Sequence, residues 1–309
     1  MKALVTGASG FIGQQLCARL SGQGRELLPF SLGGGSLPSG QRILPLDLTN
    51  ESVSARHLRE AHTVFHLAGI AHRAAAGQAY DAVNHRAVIE LATRAADAGV
   101  RSFIFLSSVK AMGESATAAP RDEDDCIRPD EPYGLSKWQA EQSLRAAFAD
   151  TGMAVYILRP ALVYGPQAKG NLHLLGRLVA AGLPRPPALG ARSMVALADL
   201  VELMLLAERE ARPGVHTLIA ADGESYSTRR IYDALRMAAG KARAHSWLPQ
   251  WAWRGGAGLV DILRPGPEPT WQKLFGTELY SNQRARQQLG WVPQQTFEAM
   301  LAAGGAAAC

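Results

Sequence analysis

Gly7-Ala8-Ser9-Gly10-Phe11-Ile12-Gly13 stands directly behind the apolar run Ala3-Leu4-Val5 and opens Ile12–Gln23, where Ile12, Leu16 and Leu20 recur at helical spacing. A buried strand, a glycine turn and a helix in that order leave few folds open. Gly7 permits the tight turn, Gly10 lets backbone approach a phosphate, and Gly13 lets helix and strand pack closely. The first turn of such a helix presents N–H groups with no intrahelical partner, which suits the pyrophosphate of a dinucleotide.

The rest of the first half alternates strand and helix. Glu26–Phe30, Ile43–Leu46, Thr63–Leu67, Ser102–Leu106 and Val155–Leu158 read as strands. Tyr80–Gly99 reads as a helix closed by Gly99, and Pro132–Gly152 as a helix with Pro in its first turn. This rhythm predicts a Rossmann-like doubly wound parallel sheet, an α/β fold with helices on both faces. After Pro160 the rhythm changes. A rigid Pro184-Arg185-Pro186-Pro187 turn, a helix at Ala198–Glu210, a strand at Val215–Ala220 and a helix at Thr228–Ala239 suggest a smaller α+β lobe. The expected division is 1–165 for dinucleotide binding, open to parts of 190–220, then 166–303 mainly for substrate, with 304–309 as a frayed tail. Trp247, Trp251, Trp253 and Trp271 are read as packing residues of the second lobe.

Charge and cysteine usage narrow the partners. A formal charge of +5 favours an anionic ligand, but Lys and Arg are scattered, so no nucleic-acid face is expected. Cys17, Cys126 and Cys309 have neither metal-ligand spacing nor a disulfide framework, so no metal is expected and a reducing cytoplasm fits. The first strand begins at Lys2, so no signal peptide is expected. The longest apolar helical stretch, Val195–Ala207, is interrupted by Asp199 and Glu202, so no membrane partner is expected.

The end of the second strand should decide the cofactor's form. NAD-binding sites usually place Asp or Glu there, about twenty residues past the glycines, to hold the adenosine ribose. Here it is Phe30-Ser31-Leu32, with neither acid nor Arg. Ser31 suits a ribose hydroxyl or tolerates a 2′-phosphate, so NAD and NADP both stay open, NAD ahead. Asp47 is placed to accept from the adenine amino group; its alternative role as a helix cap belongs more naturally to Thr49 or Asn50. Leu67-Ala68-Gly69 ends the fourth strand, where backbone must pass close to the cofactor.

Tyr133 and Lys137 lie four apart on one helix, so both project from one face. A free phenol titrates near ~10, too high for a base at neutral pH. A neighbouring ammonium and an oxidised nicotinamide would lower it, and Lys137 can also hydrogen-bond the nicotinamide ribose. Ser108 would hold the reacting hydroxyl or carbonyl against Tyr133.

Taken together, Thr6–Gly13, Asp47-Leu48, His66–Gly69, Asn84, Ser107-Ser108, Tyr133–Lys137, Arg159-Pro160 and Tyr164-Gly165-Pro166 resemble the extended short-chain dehydrogenase/reductase superfamily. The chain looks closest to that superfamily's sugar-nucleotide epimerase, dehydratase and reductase branch. The resemblance implies Ser108, Tyr133 and Lys137 as catalytic residues. It implies a cofactor site drawn from Gly7, Ser9, Gly10, Phe11, Ile12, Gly13, Ser31, Asp47, Leu48, Leu67, Ala68, Gly69, Asn84, Ser107, Tyr133, Lys137 and Pro160. Dehydratases resembling this chain carry Asp-Glu after the catalytic hydroxyl residue to eliminate water; Val109-Lys110 occupies those positions here, which disfavours elimination. Ser107–Glu114 is similar to a bacterial surface-polysaccharide subgroup acting at C4 of UDP-N-acetyl sugars. Asn171 and Arg192 resemble the diphosphate-holding residues of UDP-hexose 4-epimerases, with Ser108 also facing substrate and Arg286 a second diphosphate candidate. Leu162 replaces an Asn of that pattern, which counts against an ordinary UDP-galactose epimerase.

The expected function is nicotinamide-dependent C4 epimerisation of a nucleotide sugar, UDP-hexose or UDP-N-acetylhexosamine, through a 4-keto intermediate. The alternative is an NAD(P)H-dependent reductase of a 4-keto nucleotide sugar or another carbonyl substrate. A cytoplasmic enzyme of polysaccharide biosynthesis is expected, with a homodimer left open.

Overall fold

The structure, a computed structural model, describes residues 1–71, 77–114, 117, 119–166, 171–263 and 269–304, without the side chains of 171, 173 and 174. In chain order its first half runs β1 (Lys2–Thr6), α1 (Phe11–Gly22), β2 (Glu26–Ser31), β3 (Gly35–Ser36), β4 (Arg42–Pro45), α2 (Ala55–Glu60), β5 (Ala61–His66), α3 (Gly77–Asp81), a π-helical turn (Ala82–Arg86), α4 (Ala87–Asp97) and β6 (Ser102–Leu106). A 3₁₀ turn (Val109–Met112), α5 (Pro132–Phe148) and β7 (Ala154–Pro160) follow. The second half contains β8 (Leu162–Tyr164), α6 (Asn171–Ala180), β9 (Ala191–Arg192), β10 (Met194–Ala196), α7 (Leu197–Glu210), β11 (Gly214–Ala220) and α8 (Thr228–Ala238). It closes with α9 (Gln250–Leu263), α10 (Thr270–Phe275), β12 (Thr277–Glu278), α11 (Gln283–Leu289) and α12 (Phe297–Gly304).

Eight strands form one sheet in the order β11-β7-β6-β5-β1-β2-β4-β3, parallel except for the short β3. The chain leaves β1 toward β2 on one side and returns to β5 on the other, so the switch in strand order opens a crevice above the C-terminal ends of β1 and β5. Side-chain alternation sorts each strand between two cores. Ala3, Val5, Phe65, Ile104, Tyr156 and Leu158 pack beneath α1 and α7. Leu4, Val64, Phe103, Phe105, Val155 and Ile157 pack on the other face with α2, α4 and α5. Strands with an apolar core on each side read as unbroken apolar runs, which is why these were legible.

Several boundaries differ from expectation. The helix expected at Tyr80–Gly99 is broken by the π-helical turn, while its end, at Asp97 with Ala98 as cap, is closed as expected by Gly99 at φ +81°. The helix expected to reach Gly152 stops at Phe148, whose carbonyl accepts from both the amide and the hydroxyl of Thr151. Helix α2 was not anticipated; its cap is Ser54 rather than Thr49 or Asn50. β11 lies beside β7, and Leu200, Val201 and Met204 of α7 share a core with α1, so 197–220 is built into the sheet's layers.

A separate core, with Tyr164, Met194, Tyr226, Tyr232 and Phe297, lies under β8, β10, α6, α8 and α12. Two short parallel pairs, β8 with β10 and β9 with β12, complete this region. The tryptophans divide: Trp253 and Trp271 pack on the Phe275 ring, whereas Trp247 and Trp251 stand in solvent. The packing role expected of those two is overturned. Beyond Gly304, the expected tail lies outside the described residues.

Candidate active site

A cavity of about 530 Å³ opens over the C-terminal ends of the central strands. Its floor is the glycine turn. Gly7 has φ +70°, and a Cβ there would fall 2.7 Å from the Ala68 nitrogen; one on Gly13 would fall 2.2 Å from the Gly7 carbonyl. These two glycines let strand, turn and helix touch. Gly10 is the N-cap of α1, offers no side-chain cap and is followed by no acid in the first turn. Gly7, Gly10, Phe11, Ile12 and Gly13 line the cavity, so an uncapped helix N-terminus faces into it. An open space over bare amides, with no acid in the first turn of the helix, fits a dinucleotide's diphosphate.

Helix α5 supplies the reactive side chains. Pro132 at its start and the Glu131 carboxylate, which accepts from the Tyr133 and Gly134 amides, fix where the helix begins and thus where Tyr133 points. Burial pushes the Tyr133 phenol up to about 12, and the Ser108 side chain beside it pulls the other way. One turn on, Lys137 is buried, with Nζ 2.8 Å from the Leu106 carbonyl and 4.6 Å from the Phe105 ring centroid. Burial pulls Lys137 down to about 8, opposed by the charge of Glu141. A Cβ on Gly69 would sit 3.3 Å from Lys137 Nζ, so that glycine keeps the passage past the ammonium open. Leu67, Gly69, Ser107, Ser108, Tyr133, Lys137 and Pro160 all reach the cavity, as expected of them.

A buried charge network backs this wall. Glu141 accepts from Ser107 Oγ at 2.6 Å, from Arg159 Nη2 at 2.5 Å and from Arg145 Nη2 at 3.1 Å. Ser107 therefore reaches the cavity with its hydroxyl turned back into the protein. Multiple hydrogen bonds to one fully buried carboxylate are what make such a charge tolerable. Behind the β1–β5 seam, His66 lies between the Phe103 and Phe105 rings, with Nδ1 2.9 Å from Thr6 Oγ1; burial holds it neutral, at about 3.

The far end of the cavity is lined by Lys110, Thr228, Arg192, Lys273, Glu278 and Tyr280. Pairing of β9 with β12 sets Glu278 beside Arg192. Lys110 Nζ lies 3.0 Å from Glu278 Oε1. Burial works to raise the Glu278 carboxyl, but Lys110 and Arg192 together hold it below the usual range. Arg192 donates from Nη2 to the Gln272 carbonyl, and its Nε has no partner among the described residues. Glu278, Lys273, Thr228 and Tyr280 carry no motif and lie 36 or more residues from Arg192. Only the strand pairing brings Glu278 there, although Lys110 sits two residues past Ser108 in a segment already singled out.

Other expected residues stand away from the cavity. Ser31 is buried and donates to the Gly34 carbonyl. Asp47 accepts from Thr49 and Asn50, which hold its carboxyl below the ordinary range and tie it into its own turn. Leu48 packs against the core beneath α2 and α4. Ser9 is exposed, and Ala68 donates its amide to Thr6 Oγ1. Asn84, fully buried in the π-helical turn, bonds both backbone groups of Ile70 and the Ser136 hydroxyl; it braces the Gly69–Ile70 wall without reaching the cavity. Arg286 is exposed on α11, which turns Ala285 into the core and so directs the next side chain outward. The Asn171 side chain lies outside the described residues, though the residue opens α6. Among the described residues no group of His, Cys, Asp and Glu could hold a metal, and Cys17 and Cys126 are free.

A parallel sheet with a glycine-lined crevice at its switch point, and Ser, Tyr and Lys converging on that crevice, defines a nicotinamide-dependent enzyme of the extended short-chain dehydrogenase/reductase type. The chain belongs to the NAD dependent epimerase/dehydratase family, whose model matches residues 3–220. It is 30% identical to a UDP-glucose 4-epimerase of Vibrio cholerae, over 96% of this chain and 92% of that one. It is 27% identical to the dTDP-6-deoxy-L-talose 4-dehydrogenase (NAD(P)(+)) of Kitasatospora kifunensis, over 96% and 92%. Among solved structures, the Bordetella bronchiseptica enzyme WbmG in complex with NAD and UDP superposes with a TM-score of 0.76 at 21% identity, covering 97% of this chain and 91% of that one.

Proposed function

We propose that the protein epimerises C4 of a nucleotide sugar, UDP-hexose or UDP-N-acetylhexosamine, with NAD as the retained cofactor. The observation that carries this reading is the cavity itself. It joins the Ser108–Tyr133–Lys137 set to the cationic end at Lys110, Arg192 and Lys273, while Val109-Lys110 stands where an eliminating enzyme needs an acid pair. The Vibrio UDP-glucose 4-epimerase, similar along nearly the whole chain, supports the same class.

In this reading Ser108 donates to or accepts from the C4 oxygen and holds it against Tyr133. Tyr133 takes the C4 hydroxyl proton as C4 gives up its hydride, and returns that proton to the C4 oxygen once the turned-over sugar takes the hydride back on its opposite face. Lys137, as a cation, stabilises the phenolate and holds the ribose next to the nicotinamide. The nicotinamide supplies a hydride acceptor that can give the hydride back. Arg192 neutralises the diphosphate, leaving the hexose free to turn over between the two transfers. Gly7, Gly10 and Gly13 admit the cofactor's diphosphate to the amides of α1. Incubating the protein with UDP-GlcNAc or UDP-Glc and no added reductant should produce the C4 epimer.

Reduction of a 4-keto nucleotide sugar is the second reading, favoured by one observation. Ser31 stands where an acid would hold the adenosine ribose, and its hydroxyl is engaged with Gly34, which suits a cofactor that exchanges each turnover. If no epimer forms while NAD(P)H is consumed one for one with a 4-keto nucleotide sugar, this second reading replaces the first.

A further inference from the structure

Among the described residues, helix α9 leaves an apolar face uncovered. Among its residues only Ala257 is buried, whereas Trp251 is 76%, Leu259 57%, Ile262 79% and Leu263 71% exposed. Trp247, just before the helix, is 71% exposed. Residues 251, 255, 258, 259 and 262 share one helical face and are Trp, Gly, Gly, Leu and Ile, with no charge among them. A contiguous apolar surface of this kind on a folded protein marks an interaction site.

Among the described residues from 241 to 263, the exposed charged side chains are cationic. Lys241, Arg243 and Arg254 are exposed, the last stacked 5.2 Å over the Trp271 ring. The one acid between 241 and 263, Asp261, is half-buried and accepts from the Thr270 amide and hydroxyl at the start of α10. The patch is thus tryptophan and aliphatic carbon with a cationic border. A two-fold contact between copies would bring this cationic border from both chains to one interface, with Asp261 already tied to Thr270. An anionic phospholipid surface matches both parts: acyl boundary for Trp251, Leu259 and Ile262, head groups for the cations.

We propose that α9 and the basic segment before it dock the protein in the plane of an anionic phospholipid bilayer. Residue numbers exclude a span, since the helix has 14 residues and no helix among the described residues is long and apolar enough to cross. Lying in the interface carries no such length requirement, so the absence of a spanning segment, on which the sequence reading excluded a membrane, does not bear on it. Docking would also orient the active site, because α10 packs on α9 through Trp253, Trp271 and Phe275 and presents Lys273 and Leu274 to the cavity.

The test is co-sedimentation of the full chain with phosphatidylcholine vesicles, with and without phosphatidylglycerol. The expected result is binding to the phosphatidylglycerol vesicles with a blue shift of tryptophan emission, and little binding to phosphatidylcholine alone. W251E/I262E alters two solvent-exposed side chains outside the cavity; it should keep its circular dichroism and NAD binding yet partition at least about tenfold less. K241E/R243E should weaken binding and its salt sensitivity together. No binding to phosphatidylglycerol vesicles, or undiminished binding by a folded W251E/I262E, would overturn the proposal. So would a fall in molar mass of W251E/I262E by light scattering without any vesicle binding, which would give the face to a second copy.

Discussion

At the residue scale, the proton-transfer group is poised by opposing influences. Burial drives the Tyr133 phenol up and the Lys137 ammonium down, both toward their neutral forms. The Ser108 side chain and the Glu141 charge work against that drift. Tyr133 can become a base only while Lys137 is cationic, and Lys137 holds its proton below about 8 instead of 10.5. The sign follows: the cation is present on the acid side of that value and lost above it. We therefore expect turnover to fall as pH rises through about 8, well before an ordinary lysine would titrate. Tyr133→Phe should lower the whole profile by about 10²–10⁴-fold, the usual worth of a positioned proton-transfer group. NAD affinity and the thermal midpoint should stay near the parent values. The check is a pH profile of kcat for both proteins beside NAD titrations; near-parental turnover in the variant would remove Tyr133 from the reaction.

At the element scale, what was legible in the sequence depended on how local its cause was. The strands were read well because both their faces meet a core, as at Leu4 and Val5, and the glycine turn because its constraint lies within seven residues. The π-helical turn was not, since it arises where Asn84 must reach Ile70 and Ser136, contacts separated by 14 and 52 residues. Glu278 and Lys273 entered the site through the pairing of β9 with β12, which no periodicity announces. Trp247 and Trp251 misled because composition says tryptophan is buried without saying whether its helix has a partner. The close approach of α1 to its own turn is the element-scale feature with the sharpest consequence. A methyl on Gly13 would lie 2.2 Å from the Gly7 carbonyl, which is backbone and cannot swing aside. Gly13→Ala must lift α1 from the turn, misdirecting the amides that line the cavity. Overpacking of this kind costs about 1–3 kcal/mol, so a lower thermal midpoint together with at least tenfold weaker NAD binding is expected by calorimetry. Gly22→Ala on the same helix, where nothing lies within 4 Å, is the control and should change neither.

At the scale of the whole molecule, the sheet and the second core meet across one cavity and divide its chemistry. The sheet contributes the glycine turn and the Ser108–Tyr133–Lys137 set, and the region from β9 to β12 contributes most of the charge at the far end. Lys110 crosses between them through Glu278. Among the described residues three cations, Lys110, Arg192 and Lys273, face one carboxylate there, an excess of positive charge suited to a diphosphate. Two arginines were candidates to hold that group, and the fold separates them: Arg192 lines the cavity, whereas Arg286 projects into solvent from α11. A charge-assisted contact of this type contributes about 1.5–3 kcal/mol. Arg192→Ala should therefore weaken UDP-sugar binding about ten- to hundredfold by titration calorimetry and leave NAD affinity within about twofold, because the cofactor's amides belong to α1. Arg286→Ala should change neither. Equal loss of both ligands in Arg192→Ala would assign that arginine to holding β9 against α10, through its bond to the Gln272 carbonyl, and would leave the diphosphate to Lys110 and Lys273.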